Sequence, residues 1–421
     1  MQNQVALAKT IKDVFNTANP TPLPSGDPRY VDCTNVRGDE DAVEQLFRVI
    51  TWSDQLRTTQ LFTGHRGCGK STELLRLRQR LEDAGYTVVY FEADDVIDVE
   101  DIVYSDILVA IARQVYQELQ TKKVPLDQEL LDEIFAWFAE RVLEYENASS
   151  ASIALEAEMG AGISKLFSPL AQLLAKLTGQ LRTSIERKQQ IRQRLDPQIA
   201  QLIEKINALL RDGILKLRKQ GQQGLVIIVD NLDRIPFRLL DDGKRNVHDF
   251  LYIDHGEKLA ACECHVIYTV PIAMFYTPQS AQLTSIFPDK LILPMIKTHT
   301  RTAQTNEFWG PGMEALRAML GHRIDLESIF TQDALELLCR ESGGHPRILM
   351  MLVRNAASFA TNRFPKPIDA NAVERAVNRL VSDYSRAIPE EHFALLAQVH
   401  QTKQVKNDDD HRLMLHNLSV L

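Results

Sequence analysis

Short apolar segments recur along the chain between stretches whose apolar residues follow helical spacing. Four of these segments, at 58–63, 85–93, 225–230 and 266–270, contain many β-branched and aromatic residues. They are too short for typical helices, and their largely apolar character is that of buried parallel strands. Strands that alternate with helices predict an α/β fold with a parallel sheet.

The stretch from about 102 to 222 has an almost entirely helical pattern. It is far longer than an ordinary connection between two parallel strands, so we interpret it as a helical insertion. Residues 182–219 within it hold ten Lys or Arg and four Asp or Glu, whereas residues 92–101 hold six acidic side chains and no basic one. Packing of the insertion on itself is the simplest interpretation, and binding of a protein or of nucleic acid are the alternatives.

Helical patterns also flank this core. Residues 1–28 predict a short amphipathic helix followed by an extended, proline-rich connector. The core extends over 29–300, and residues 301–385 predict an all-α domain. The tail, 386–421, predicts two further helices that are similar to part of a winged-helix module.

The strand at 58–63 leads into a sequence that matches the phosphate-binding pattern G-x-x-x-x-G-K-[ST], and an amphipathic helix follows. Backbone N–H groups of such a loop point at phosphate, Lys70 supplies a positive charge, and Ser71 offers a hydroxyl to Mg²⁺. The residues predicted to bind nucleotide in this P-loop are Gly64, His65, Arg66, Gly67, Cys68, Gly69, Lys70, Ser71 and Thr72.

The strand at 225–230 ends in Asp230, which is the Walker B pattern. A buried parallel strand would deliver this carboxylate beside the P-loop, where it would hold Mg²⁺ opposite Ser71. Asp233 is a second carboxylate close by, and it is either the catalytic base or a structural residue. The two motifs together predict a Mg²⁺-dependent nucleotide site.

These motifs, with Arg37-Gly38-Asp39-Glu40 ahead of them, resemble those of the AAA+/STAND superfamily of P-loop ATPases. The resemblance covers about 25–110 and 223–380 and implies ATP and ADP as ligands. It implies that Thr269 is a polar sensor and that 301–385 is a lid over the nucleotide. In the lid motif Gly343-Gly-His-Pro-Arg347, the resemblance places Pro346 on the nucleotide and makes Arg347 a second, catalytic sensor.

Two departures from that family pattern concern the rate of hydrolysis. Many AAA+ enzymes place Glu directly after the Walker B Asp, whereas this chain has Asn231. The segment 271–289, near which AAA+ rings usually supply an arginine finger, contains no arginine. Both departures favour a slow ATPase that acts as a switch.

The composition narrows the class of protein further. A net charge of −8 over 421 residues excludes a uniformly basic nucleic-acid binder. No apolar run is long enough to cross a bilayer, and the N-terminus lacks the layout of a signal peptide. Cys262 and Cys264 lack a second pair at metal-site spacing, which favours structural thiols. We therefore expect a cytoplasmic protein without stable membrane insertion.

Two functions remain open from the sequence. In the first, the state of the bound nucleotide controls a helical arm that engages a protein partner, with nucleotide-dependent self-association, and the resemblance implies a role in signalling or phage defence. In the second, the chain is a DNA-handling ATPase of the origin-recognition or transposition-regulator type. DNA phosphates would then contact a basic set in the insertion, namely Arg187, Lys188, Arg192 and Arg194.

Overall fold

A computed structural model describes residues 6–142, 168–240, 243, 245–300, 307–360, 367–402, 404–417 and 419–420. Within these residues, five parallel strands form one sheet in the order β2-β3-β4-β1-β5. The strands are β1 Thr58–Thr63, β2 Tyr86–Glu92, β3 Gly224–Asp230, β4 His265–Val270 and β5 Asp289–Ile292. The four predicted strands are confirmed. The strand β5 was not predicted, because this short edge strand begins with two charged residues.

Helices account for most of the remaining described residues. Before the second half of the sheet they are α1 Ile11–Thr17, α2 Ala42–Thr51, α3 Lys70–Asp83, α4 Ala93–Val96, α5 Tyr104–Thr121, α6 Gln128–Arg141, α7 Pro169–Thr183, α8 Ile185–Leu195 and α9 Ile199–Lys219. After β3 they are α10 Val247–Asp249, α11 Gly256–Leu259, α12 Ser280–Ile286, α13 Gly310–Gly321, α14 Leu326–Ile329, α15 Gln332–Glu341, α16 Pro346–Phe359, α17 Ala370–Ser385, α18 His392–Thr402 and α19 Asp409–His416. None of the described helices is long and apolar enough to cross a membrane.

The two faces of the sheet carry different layers. The P-loop helix α3 and the preceding α2 pack on one face, where Leu74 and Leu77 meet Val226 and Ile228. The insertion helices α5 to α9 pack on the other face, against a core that includes Ile227 of β3. The predicted α/β fold with a helical insertion is therefore confirmed, and the described part of the insertion is a layer of the core, not a separate arm.

The basic stretch of the insertion faces the acidic segment that follows β2. Lys188, 2% exposed, forms ion pairs with Asp98 and Asp101 at 2.5 and 3.3 Å. Arg192 pairs with Asp101 at 3.0 Å and with the buried Asp106 at 2.5 Å. Two of the four cations that were candidates for DNA phosphates are thus ion-paired within the protein, and a third, Arg194, donates to the Val142 carbonyl oxygen at 2.8 Å.

Helices α13 to α17, the predicted lid, form a second hydrophobic core. Leu316, Leu335, Leu349 and Val373 lie in it, and so does Val14 of the N-terminal helix α1. The connector after α1 therefore has to pass from the lid to the core. The described tail residues contain two helices and no strand, and the second helix packs against the 3₁₀ segment Ile272–Tyr276 that follows β4.

Candidate nucleotide site

The P-loop connects β1 to α3 through residues with left-handed backbone. Gly67 and Gly69 have φ angles of 96° and 113°, which glycine adopts without the steric cost of a Cβ atom. The Lys70 ammonium donates to the carbonyl oxygens of Gly64 and His65 at 2.8 and 3.1 Å. The loop is thereby curled around its own lysine, with α3 beginning at Lys70. Its open N-terminal N–H groups are available to an anion.

Lys70 also carries an ion pair with the Walker B loop. Its Nζ lies 3.0 Å from Asp233 Oδ2, and both side chains are over nine-tenths buried. Burial acts to lower the pKa of Lys70, but the Asp233 and Asp230 carboxylates outweigh it, so the pKa is raised. Lys70 is therefore a fixed positive charge, and Asp233 is its counter-ion when no phosphate is bound.

Asp230 lies at the end of β3, is 1% exposed, and is hydrogen-bonded to Ser71. Its other contacts are donors: the Tyr90 hydroxyl at 2.8 Å and the Asn231 backbone N–H at 2.7 Å. Burial raises the pKa of Asp230, opposed by the Ser71 bond and assisted by the Asp233 charge. Asp230 has no salt bridge within 4 Å among the described residues. A buried carboxylate beside a serine hydroxyl is an oxygen donor set that suits Mg²⁺.

The lid touches the P-loop through the start of α16. His345 caps that helix by accepting from the Ile348 N–H, and its Nε2 lies 3.0 Å from the Arg66 carbonyl oxygen. Acceptance at Nδ1 places the proton on Nε2, so His345 donates to the P-loop as a neutral ring. A Cβ atom on Gly67 would lie 2.6 Å from His345 and 2.9 Å from Arg347. The bond joins residues 279 positions apart, so no local sequence signal indicated it.

Three arginines from distant parts of the chain line the same cleft as Lys70. They are Arg66 of the P-loop, Arg234 after β3 and Arg347 of the lid. Burial, with the charges of Arg66 and Arg234, lowers the pKa of Arg347. Among the described residues, Arg234 pairs with Asp94, whereas neither Arg66 nor Arg347 has a carboxylate within 4 Å. The part of the cleft around these arginines therefore carries a local excess of positive charge.

The cleft is also lined by parts of the chain that sequence reasoning did not assign to the site. The connector contributes Pro20, Pro22 and Leu23, and the lid contributes Met319 and Met350. These apolar side chains provide the kind of wall that a flat base requires. No motif marks them, because a proline-rich connector is an ordinary linker in sequence terms.

Two further contacts fix the connector and the loop. The Leu23 N–H donates to the Thr72 hydroxyl at 3.1 Å, which ties the connector to α3. Arg37 is 9% exposed, and its Nη2 donates to the Cys68 carbonyl oxygen at 2.7 Å. Its remaining nitrogens, Nε and Nη1, have no partner among the described residues, and its side chain also lines the cleft. Arg37 therefore holds the P-loop at Cys68.

Most of the predicted site residues meet at one cleft of about 930 Å³, a volume that includes its open mouth. Those that line it are Arg66, Gly67, Cys68, Gly69, Lys70, Ser71, Thr72, Asp233, Pro346 and Arg347. Gly64 lines a neighbouring cavity, and burial lowers the pKa of His65 to about 4, assisted by Lys70. Thr269 is fully buried and accepts from the Leu232 N–H at 3.1 Å, so it supports the Walker B loop from below.

Residues 41–240 match the profile of the KAP family P-loop domain. No curated protein matches the chain in sequence. Its fold is similar to that of the Aeropyrum pernix ORC2 protein in ADPNP–ADP complexes, with 15% identity, a TM-score of 0.45, and coverage of 98% of this chain and 85% of that one. It is also similar to Cdc6p from Pyrobaculum aerophilum, with 12% identity, a TM-score of 0.42, and coverage of 96% and 83%. The family match confirms the predicted P-loop NTPase domain.

Proposed function

We propose that this chain, a P-loop NTPase, is a slow, Mg²⁺-dependent ATPase of the AAA+ type that works as a molecular switch of the STAND kind. The observation that carries the proposal is the convergence of P-loop, Walker B loop and lid on one cleft with unpaired cations. A bound triphosphate would supply the negative charge that these cations lack. The γ-phosphate would then be contacted from the core by Lys70 and from the lid by Arg347.

The residues proposed to act on nucleotide have distinct tasks. Ser71 and Asp230 would hold Mg²⁺, which when bound neutralises charge on the phosphate oxygens. Lys70 would contact a phosphate oxygen while it keeps Asp233 as its counter-ion, and Asp233 would either orient water or be structural. Thr269 stabilises the loop that carries Asp233, and Pro346 and Arg347 form the lid side of the cleft.

Switching follows from where the lid touches the core. Arg347 and His345 both lie at the start of α16, so the presence or loss of a γ-phosphate acts directly on the helix that contacts the P-loop. A ligand shifts such an equilibrium only by its differential affinity for the two states. ATP and ADP differ at the phosphate that Arg347 would bind. The lid position is therefore the proposed signal to a protein partner, with signalling or phage defence in the cytoplasm as its setting.

The test is ATP turnover by the isolated chain, together with Lys70→Ala. We expect slow hydrolysis in the wild type and a loss of about 100-fold or more in the variant, since a charge on the transferred phosphoryl group is removed. Fast basal turnover by the monomer would contradict a switch. Turnover that persists in Lys70→Ala would contradict the site itself.

The alternative is a DNA-handling ATPase of the origin-recognition or transposition-regulator type. One structure that this chain is similar to is the Aeropyrum pernix ORC1 protein in complex with DNA, with 14% identity, a TM-score of 0.40, and coverage of 97% and 81%. Lys188 and Arg192 are engaged in ion pairs, so a DNA surface would have to use other cations, such as the exposed Arg187.

Size measurement with ATP, with ADP and with duplex DNA separates these possibilities. A monomer that assembles only with ATP supports the switch and its self-association. Salt-dependent DNA binding that weakens in Arg187→Gln supports the alternative.

A further inference from the structure

The position after the Walker B aspartate holds Asn231, yet a glutamate lies next to it in space. The Asn231 side-chain amide donates to Glu92 Oε2 and, at 2.9 Å, to Asp94 Oδ1. Glu92 is the last residue of β2, and Asn231 follows the last residue of β3. The amide and the carboxylate thus meet across two neighbouring strands.

The sheet places Glu92 on the nucleotide side. β2 pairs in parallel with β3, and Glu92 is in register with Asp230. Alternate residues of a strand share a face, so Glu92 lies on the face of Tyr90. Tyr90 packs on the α3 side of the sheet and donates to Asp230, and Asn231 lines the cleft. Glu92 is therefore hydrogen-bonded to a residue that lines the cleft.

We propose that Glu92 is the catalytic carboxylate that orients and deprotonates the attacking water, and that Asn231 is its positioning residue. The assignment rests on the proposed ATPase function. The water oxygen forms a bond to the γ-phosphorus, and the bond from that phosphorus to the β–γ bridging oxygen breaks, with its electron pair leaving on ADP. One proton of the water passes to Glu92 and from there to phosphate or solvent. The carboxylate that the chain lacks at 231 is thereby supplied from the adjacent strand.

Neighbouring carboxylates are less suited to this task. Asp233 is the counter-ion of Lys70, and Asp94 is paired with Arg234. Glu92 has no ion pair within 4 Å among the described residues, and only the neutral Asn231 amide holds it. A carboxylate without a cationic partner is available to accept a hydrogen bond and a proton from water.

The first test compares Glu92→Gln with Asp95→Asn, a change in an exposed carboxylate three residues further along the chain. We expect Glu92→Gln to lower kcat by about 100-fold or more, since a general base contributes that much, while ATP affinity stays within about threefold. Nucleotide recovered from Glu92→Gln after mixing with ATP should be ATP, whereas wild type and Asp95→Asn yield ADP. Near-wild-type turnover in Glu92→Gln would overturn the assignment.

The second test exchanges the two side chains. Glu92→Asn alone should be inactive, and the double variant Glu92→Asn/Asn231→Glu should regain at least tenfold, because the carboxylate and the amide have only changed places. A double variant no more active than Glu92→Asn overturns the proposal in favour of a structural role. If wild-type protein itself hydrolyses no ATP, the proposed function fails, which is a result distinct from either outcome.

Discussion

The cations around the P-loop and the cations of the helical insertion differ in what surrounds them. In the insertion, Lys188 and Arg192 lie against the carboxylates of the segment after β2. In the cleft, Arg66 and Arg347 lie near Lys70 with no carboxylate within 4 Å in the described part of the chain. Like charges that are held together without counter-ions weaken the folded state, so a fold keeps them where a ligand supplies the opposite charge. The comparison separates charges that stabilise the folded protein from charges that are available to a ligand.

The largest expected effect lies in the insertion. Arg192→Ala removes the partner of the buried Asp106, and breaking a buried ion pair costs about 3–5 kcal/mol. Urea unfolding should show that loss, while the exposed Arg187→Ala should change stability by no more than about 0.5 kcal/mol. Arg192→Met combined with Asp106→Leu should recover most of the loss. If Arg192→Ala is as stable as Arg187→Ala, the insertion charges are not structural.

Arg347→Ala should have the opposite profile. We expect ATP affinity to fall by roughly tenfold to a hundredfold, since a charge-assisted contact to the γ-phosphate is removed, and ADP affinity to change little. The free energy of unfolding without nucleotide should not fall, because the substitution removes one positive charge from a group of neighbouring positive charges. Nucleotide titrations measure the affinities, with the exposed lid residue Arg340→Ala as control. Equal weakening of ATP and ADP would place Arg347 away from the γ-phosphate.

Acidification should disturb the cleft through His345. Burial lowers its pKa from the ordinary 6.5 to about 4, although the bond to Arg66 opposes the shift. The unfolded chain therefore binds a proton between pH 6.5 and 4 that the folded chain does not, and stability falls as the pH drops through this window.

The matched measurement is urea unfolding at pH 7 and pH 5. His345→Gln should lose less stability than wild type between these values, by roughly 1–2 kcal/mol. The exposed His400→Gln serves as the control and should follow wild type. Equal losses in all three proteins would show that His345 is not the group responsible.

Much of the fold was predictable because its signals are local. Four strands were predicted within two residues of their observed ends, since buried parallel strands are short, β-branched and continuous in the sequence. β5 was not, because its pairing with β1 and not its composition defines it. The docking of α1 on the lid was also beyond the sequence, since an amphipathic stripe shows that a helix is buried but not against what.

The candidate site also has a part that local sequence signals predict and a part that they do not. Gly64–Ser71 and Asp230 could be predicted as site residues because phosphate and Mg²⁺ chemistry demand particular residues at fixed spacing. His345, Arg37 and the apolar wall of Pro20, Pro22 and Met350 were assigned no role at the nucleotide, because their contacts join residues far apart in the chain.

By itself, the sequence determined that this protein has a P-loop on a parallel-sheet core, since local spacing encodes both the P-loop and the strands around it. Only the tertiary structure decided which charges are free to act. The basic stretch of the insertion is neutralised by the acidic segment after β2, and Glu92 lies beside Asn231, because pairing across strands and helices depends on distance in space.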